Sequence, residues 1–185
     1  DNFLQNIRTT SEKGIEIIRA LLLLASVRTE EVSLEPIDMA GVLAQAKERL
    51  SLTIEQSSAT IVAPDDWPPV LGYAPWVEEI WVNYLGNGLK YGGAPPYLEL
   101  GAASQPDGFV RFWVTDNGEG IPPEDQARLF AEFVRLEVAR GEGHGLGLSI
   151  VRRITDKLGG TVGMDSQLGK GSTFYFTLPA ATASG

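Results

Sequence analysis

The 185-residue sequence predicts an α/β fold in which helices pack on a sheet, preceded by a long amphipathic helix. Three observations carry that expectation. Residues 97–103 and 109–115 alternate apolar and polar side chains at the period of a pleated strand, and Gln105-Pro106-Asp107-Gly108 between them is a hairpin signal. Residues near Asp38, Pro75 and Leu146 instead open stretches whose apolar side chains recur every three or four positions, as on one helical face. With 43% apolar residues there is enough material for a packed core.

Residues 1–28 carry Leu4, Ile7, Ile15, Ile18, Leu21, Leu22 and Ala25 at helical spacing. Such a helix is too long to be held by propensity alone, so it packs on a partner helix or folds back on its own domain. A polar linker reaching Ile37 follows and ends in Glu35-Pro36. Asp38 is placed to cap a second helix, whose apolar face is Met39, Val42, Leu43, Ala46 and Leu50. Residues 60–63 read as a short strand, and 64–72, with three prolines, as irregular chain. Pro75 suits the first turn of a helix running to about Tyr91. After the hairpin, a short helix is expected over 124–131 and a mobile loop over 134–143. A helix over 146–158 closes at Gly159-Gly160, and a last hairpin over 161–165 and 172–178 surrounds Gly169-Lys170-Gly171.

Composition excludes several classes of function. A net charge of −9 argues against a nucleic-acid partner, which needs clustered cations to displace counterions. The absence of cysteine removes disulfides, thiolate metal sites and thiol nucleophiles. The longest apolar run, 20–27, is far shorter than a membrane span, so no membrane contact is expected of these residues. The first residue is Asp1, not Met, and a fragment of a longer cytoplasmic protein is expected, with any sensor or anchor upstream.

Two glycine clusters, Asp116-Asn117-Gly118-Glu119-Gly120-Ile121 and Gly143-His144-Gly145-Leu146-Gly147-Leu148, suggest a nucleotide site, because glycine lets backbone amides turn onto phosphate oxygens. The first ends an apolar strand with a carboxylate; the second opens a helix. On the helix after Pro75, Glu79, Asn83, Asn87 and Lys90 fall within one narrow stripe. Packing does not explain two amides and a lysine on an otherwise apolar helix, and the stripe faces either solvent or a ligand. Tyr91 and Gly92-Gly93 beside it favour the ligand. Neither a Rossmann fingerprint nor a Walker phosphate loop is present. Asp65 and Asp66, beside Pro64 and Trp67, read as a solvated loop.

The ordered set of Asn83 to Tyr91, Asp116 to Gly120, Phe130 to Phe133, Gly143 to Leu148 and Gly169 to Phe174 resembles the ATP-binding catalytic domain of sensor histidine kinases, within the GHKL ATPase superfamily. The resemblance divides the chain into residues 1–30, part of a dimerisation and histidine-phosphotransfer hairpin; 31–37, a linker; 38–179, the catalytic domain; and 180–185, a frayed tail. It implies a two-layer sandwich of a mixed β-sheet and helices, with ATP between the helices and a lid over 134–142. The helix bearing the phosphoacceptor histidine is expected to lie outside this chain.

The resemblance also implies roles. Asp116 accepts a hydrogen bond from the adenine amine, Gly118 and Gly120 bring the backbone close to the base, and Ile121 belongs to the same ATP-binding set. Asn87 supplies an oxygen to Mg²⁺, Lys90 contacts phosphate, Tyr91 packs on the nucleoside and Asn83 lines the phosphate side. Gly143, His144, Gly145, Leu146, Gly147 and Leu148 hold the triphosphate; Phe133, Arg135, Arg140 and Thr173 complete the surroundings. His144, the single histidine, is a phosphate-side residue of the second glycine box and not the phosphorylated group. The implied partners are ATP, a second copy of the parent protein, the phosphoacceptor helix and a response regulator.

Three departures stand out. Gly88 replaces the family's usual Ala, which costs the helix up to about 1 kcal/mol. The lid is short. Asn83 stands where hydrolytic members such as gyrase carry a general-base Glu, so phosphoryl transfer should await a histidine nucleophile. Glu79, one turn earlier, is the candidate substitute base. An ATP-hydrolysing clamp and a degenerate nucleotide-binding or dimerisation module remain as alternatives.

Overall fold

The computed structural model describes residues 2–131 and 146–181. In chain order these form α1 (Asn2–Thr29), β1 (Glu35–Pro36), α2 (Met39–Arg49), α3 (Ser51–Ser57), β2 (Thr60–Val62), β3 (Leu71–Gly72) and α4 (Ala74–Tyr91). There follow β4 (Tyr97–Ser104), β5 (Phe109–Asp116), α5 (Pro123–Gln126), α6 (Gly147–Lys157), β6 (Val162–Gln167) and β7 (Gly171–Pro179).

The main sheet has the order β2-β4-β5-β7-β6. Only β2 and β4 run parallel, so the sheet is mixed, as expected. Burial along β5 alternates strictly, with Val110, Phe112, Val114 and Asp116 on the covered side. The same alternation on β7 buries Ser172, Phe174, Phe176 and Leu178. Period two therefore turns one face of the sheet toward α4 and α6, and places Asp116 last in a row of core side chains.

The core between sheet and helices is aromatic. Phe112 and Phe176 stack at 5.2 Å between centroids, and Trp81 of α4 meets Phe176 edge-on at 5.3 Å. The Trp81 indole N–H donates to Met39 Sδ of α2 at 3.1 Å, and the Tyr84 hydroxyl to the Tyr175 carbonyl at 2.8 Å. Trp81 and Tyr84 thus bury apolar area while their polar tips find partners. Ile150, Val151, Ile154 and Leu158 supply the α6 side.

Several expectations about secondary structure are corrected. The end of the linker pairs with the end of the proline-rich stretch as β1 and β3, and the Ile37 amide donates to the Val70 carbonyl at 3.1 Å. Within that stretch Trp67 folds in against Trp81 at 5.8 Å, a long-range contact that local pattern does not encode. The second helical region is two helices, α2 capped by Asp38 Oδ1 on the Gly41 amide, then α3 ending in left-handed Ser58. Helix α5 is shorter than expected. The tail begins tied down, because Ala180 and Ala181 donate to the Gly108 and Pro69 carbonyls at 2.9 and 3.0 Å.

Helix α1 folds back on its own domain, one of the two arrangements expected of it. Ala20 and Val27 are buried, with α6 the neighbour, and Glu31 just beyond the helix lies 3.5 Å from Lys157. Ile15, Ile18 and Leu22 are exposed at 51, 58 and 65%, an apolar stripe that nothing among the described residues covers.

Candidate nucleotide site

Asp116 is 8% exposed at the end of β5. Its Oδ1 accepts the Gly118 amide at 2.8 Å and the Ser172 amide at 3.3 Å. Its Oδ2 has no hydrogen-bond partner among the described residues. Burial pushes the carboxyl above its ordinary value, while the two amides pull the other way. A buried carboxylate with one oxygen satisfied and one left over is a group set for a ligand's hydrogen-bond donor.

Glycines let the surrounding backbone close on this carboxylate. A Cβ at Gly118 would stand 2.3 Å from the Tyr91 carbonyl oxygen, and one at Gly171 would stand 2.0 Å from the Asp116 carbonyl oxygen. Gly120 and Gly171 also adopt φ of +78° and +85°, conformations that L side chains rarely accept. The Gly169 amide donates to the Glu119 carbonyl at 2.8 Å, so the β6–β7 turn braces the first glycine box. Ile121 is held there too: its amide donates to Ser166 Oγ at 2.8 Å and its carbonyl accepts from Gln126 at 2.8 Å.

On α4, Asn83 and Asn87 are half-buried and Lys90 is exposed. Asn83 Nδ2 donates to the Glu79 carbonyl at 2.8 Å, and a Cβ at Gly147 would stand 2.5 Å from Asn83 Oδ1. Asn83 therefore meets the first residue of α6, joining the asparagine helix to the second glycine box. Leu146 is fully buried ahead of that helix and Leu148 is half-buried. The Asn87 amide has no hydrogen bond among the described residues. Lys90 Nζ lies 5.2 Å from the centre of the Tyr91 ring, itself 43% exposed.

Two expected positions fall elsewhere. Glu79 belongs to the stripe by helical phase, yet its carboxylate is 2.7 Å from Arg49 of α2, which also holds Glu78 at 2.9 Å. Thr173 shares a hydrogen bond with Thr115 at 2.8 Å on the sheet face opposite the one that Asp116 takes. The residue the strand turns toward Asp116 is its neighbour Ser172, and period-two counting from Phe174 finds it. Phe133, Arg135, Arg140, Gly143, His144 and Gly145, with the expected lid, lie outside the described residues.

Asn117 takes a part that the motifs do not assign to it. Its Oδ1 accepts the Gly93 and Tyr97 amides at 2.9 and 2.8 Å, and its Nδ2 donates to the Pro95 carbonyl at 3.2 Å. It fastens the turn after α4 to the first glycine box, which fixes Lys90 and Tyr91 relative to Asp116. An Asx residue before glycine is the local signal that could have found it.

The described residues place no three His, Cys, Asp or Glu side chains together as a metal site would need. None of their helices is long and apolar enough to cross a membrane.

A helix-covered mixed sheet, a buried carboxylate among glycines and a helix opening on a glycine box define a nucleotide-binding ATPase-type module. The chain belongs to the histidine kinase-, DNA gyrase B- and HSP90-like ATPase family, whose profile matches residues 72–182. It is 34% identical over 177 residues to the adaptive-response sensory kinase SasA of Thermosynechococcus vestitus, covering 93% of this chain and 47% of that one. To the phytochrome-like protein Cph1 of Synechocystis it is 33% identical over 165 residues, covering 88% and 22%. Among solved structures, full-length ShkA in complex with AMPPNP matches all of this chain and 39% of its own at 31% identity, with a TM-score of 0.83. The histidine kinase ThkA in complex with the response regulator TrrA shares the fold, with a TM-score of 0.73 at 21% identity. The chain spans less than half the length of these curated relatives.

Proposed function

We propose that this chain is the ATP-binding core of a two-component sensor histidine kinase, which transfers the γ-phosphoryl group of Mg-ATP to a histidine on a phosphotransfer helix outside these 185 residues. The observation that carries the reading is Asp116: buried, with Oδ1 filled by two backbone amides and Oδ2 left for a donor. An exocyclic amine satisfies it, and a base lacking that amine leaves a buried acceptor unpaired. Gly118, Gly120 and Ile121 supply the close backbone around the base; Tyr91 offers its exposed ring to the nucleoside.

The phosphates belong at the other end, where Asn83 meets the N-terminus of α6 and helix amides without intrahelical partners favour negative charge. Lys90 adds a cation on the same helix as Asn83. The half-buried side-chain amide of Asn87, one turn from Asn83 and without a hydrogen bond among the described residues, suits a magnesium site that takes few protein ligands and keeps phosphate oxygens and water. Bound there, Mg²⁺ offsets the charge of the phosphates. Asn87 orients that ion through its side-chain oxygen, and Asn83 lines the phosphates without a basic group to activate water.

Glu79, engaged by Arg49, is not poised as a base, which favours the kinase over an ATP-hydrolysing clamp. The exposed stripe of α1 supports pairing with a second copy, and the acceptor downstream of the histidine would be a response-regulator aspartate. A cytoplasmic location of this module follows from its nucleotide.

Titration calorimetry with Mg-ATP, followed by incubation with γ-labelled ATP, tests the reading. The chain binds ATP, takes up no label alone, and labels an added phosphoacceptor hairpin at its histidine. Failure to bind, or label appearing on His144, overturns it.

A further inference from the structure

Ser166 of β6 sits at the centre of a set of hydrogen bonds behind the base-reading carboxylate. Its Oγ donates to the Gly171 carbonyl at 3.0 Å, accepts the Ile121 amide at 2.8 Å and lies 2.9 Å from Ser172 Oγ. A hydroxyl has one proton and two lone pairs. The Gly171 carbonyl can only accept and the Ile121 N–H can only donate. The single proton of Ser166 is therefore committed to Gly171, one lone pair to Ile121, and the remaining lone pair must receive the proton of Ser172. The direction of the Ser166–Ser172 bond is thereby fixed: Ser172 donates.

The consequence lies next door. Ser172 is 5% exposed, its amide already bonds Asp116 Oδ1, and its side chain is on the Asp116 side of the sheet. With its proton turned away to Ser166, the Ser172 hydroxyl offers only lone pairs, as does the ionised carboxylate of Asp116. We infer that Ser166 is a positioning residue for base selectivity: by taking the Ser172 proton it makes this end of the site acceptor-only, so that it favours a purine edge bearing an amine and opposes one bearing an oxo group. The inference rests on the reading of the site as an adenine pocket. Ser166 touches no ligand; it acts through Ser172 and through the Ile121 backbone.

The test is the ratio of ITP to ATP dissociation constants, measured by calorimetry on the 185-residue chain. In Ser166→Ala the Ser172 proton is released and can serve an oxo group, so the ratio falls at least about fivefold while ATP still binds. Ser166→Thr keeps the hydroxyl and restores the ratio. In a Ser172→Ala background, Ser166→Ala changes the ratio no further, because its effect runs through a hydroxyl that is no longer there. An unchanged ratio in Ser166→Ala, or equal effects of Ser166→Ala with and without the Ser172 hydroxyl, overturns the inference. Should Ser166→Ala fail to fold, the ratio in Ser172→Ala decides: a value equal to that of the unaltered chain refutes a role for that hydroxyl. An unaltered chain that binds no ATP refutes the adenine pocket itself, a different result from ATP binding with a ratio indifferent to Ser166.

Discussion

Arg49 of α2 and Glu79 of α4 are 2.7 Å apart, and that ion pair removes Glu79 from the stripe its helical phase assigns it to. Helix α2 stands where it can reach the carboxylate, and Arg49 binds Glu78 and Glu79 together. Burial opposes the Arg49 charge, but hydrogen bonds to both glutamates outweigh it and its pKa rises.

Glu79→Gln should therefore leave nucleotide affinity and any basal ATP turnover unchanged. The pair is partly exposed, so solvent screening limits the stability loss to about 1 kcal/mol or less. Turnover that disappears in this variant would restore Glu79 as a base; a phosphate-release assay reads it directly.

Asp116→Asn should weaken ATP at least about 100-fold, or about 2.7 kcal/mol, because the side chain then presents a donor to the base amine. Its stability effect has the opposite sign. The carboxyl is raised by burial from an ordinary value of 3.8, so the folded chain holds the proton to higher pH than the unfolded chain does. Its contribution is fully favourable below the unfolded value and is lost as pH rises from there through the raised folded value. The variant does not titrate, so its melting temperature relative to the unaltered chain should rise across that window and stay higher at neutral pH. Melting scans between about pH 3 and 8 check this.

Helix α1 should drive self-association through Ile15, Ile18 and Leu22, an exposed stripe at spacings of three and four. Replacing the three with Ser should shift sedimentation toward monomer at micromolar concentration. ATP affinity should not change, since these side chains lie on α1, outside the nucleotide site. Sedimentation unaltered by the triple substitution would remove α1 as the interface.

Thr155 of α6 is fully buried and its hydroxyl has no hydrogen-bond partner among the described residues. Thr155→Val replaces the hydroxyl with a methyl group of similar size and removes an unsatisfied polar atom. A gain of about 1 kcal/mol, or roughly 2–4 °C in melting temperature, is expected. A loss of similar size would show that the hydroxyl is satisfied after all.

Periodicity and motif order made much of this protein legible without coordinates. The alternation of β5 put Asp116 in line with Val110, Phe112 and Val114 and so made it a buried carboxylate at a strand end. Helical spacing set Asn83, Asn87 and Lys90 on one stripe, and capping chemistry found Asp38. These signals are local: each depends only on the rise and twist of one element.

The tertiary structure decided everything that depends on which residue lies opposite. It gave Glu79 to Arg49, 30 positions earlier in the chain, and Asp116 Oδ1 to Ser172, 56 positions later. It set Thr173 on the far face beside Thr115, paired the linker with the proline-rich stretch, and let α1 bury Ala20 and Val27 while exposing Ile18 and Leu22. A sequence specifies the face a side chain takes along its own element, but hydrogen bonds and ion pairs form within about 3 Å. At that range the outcome depends on how the elements are registered and packed, which no single stretch of chain encodes.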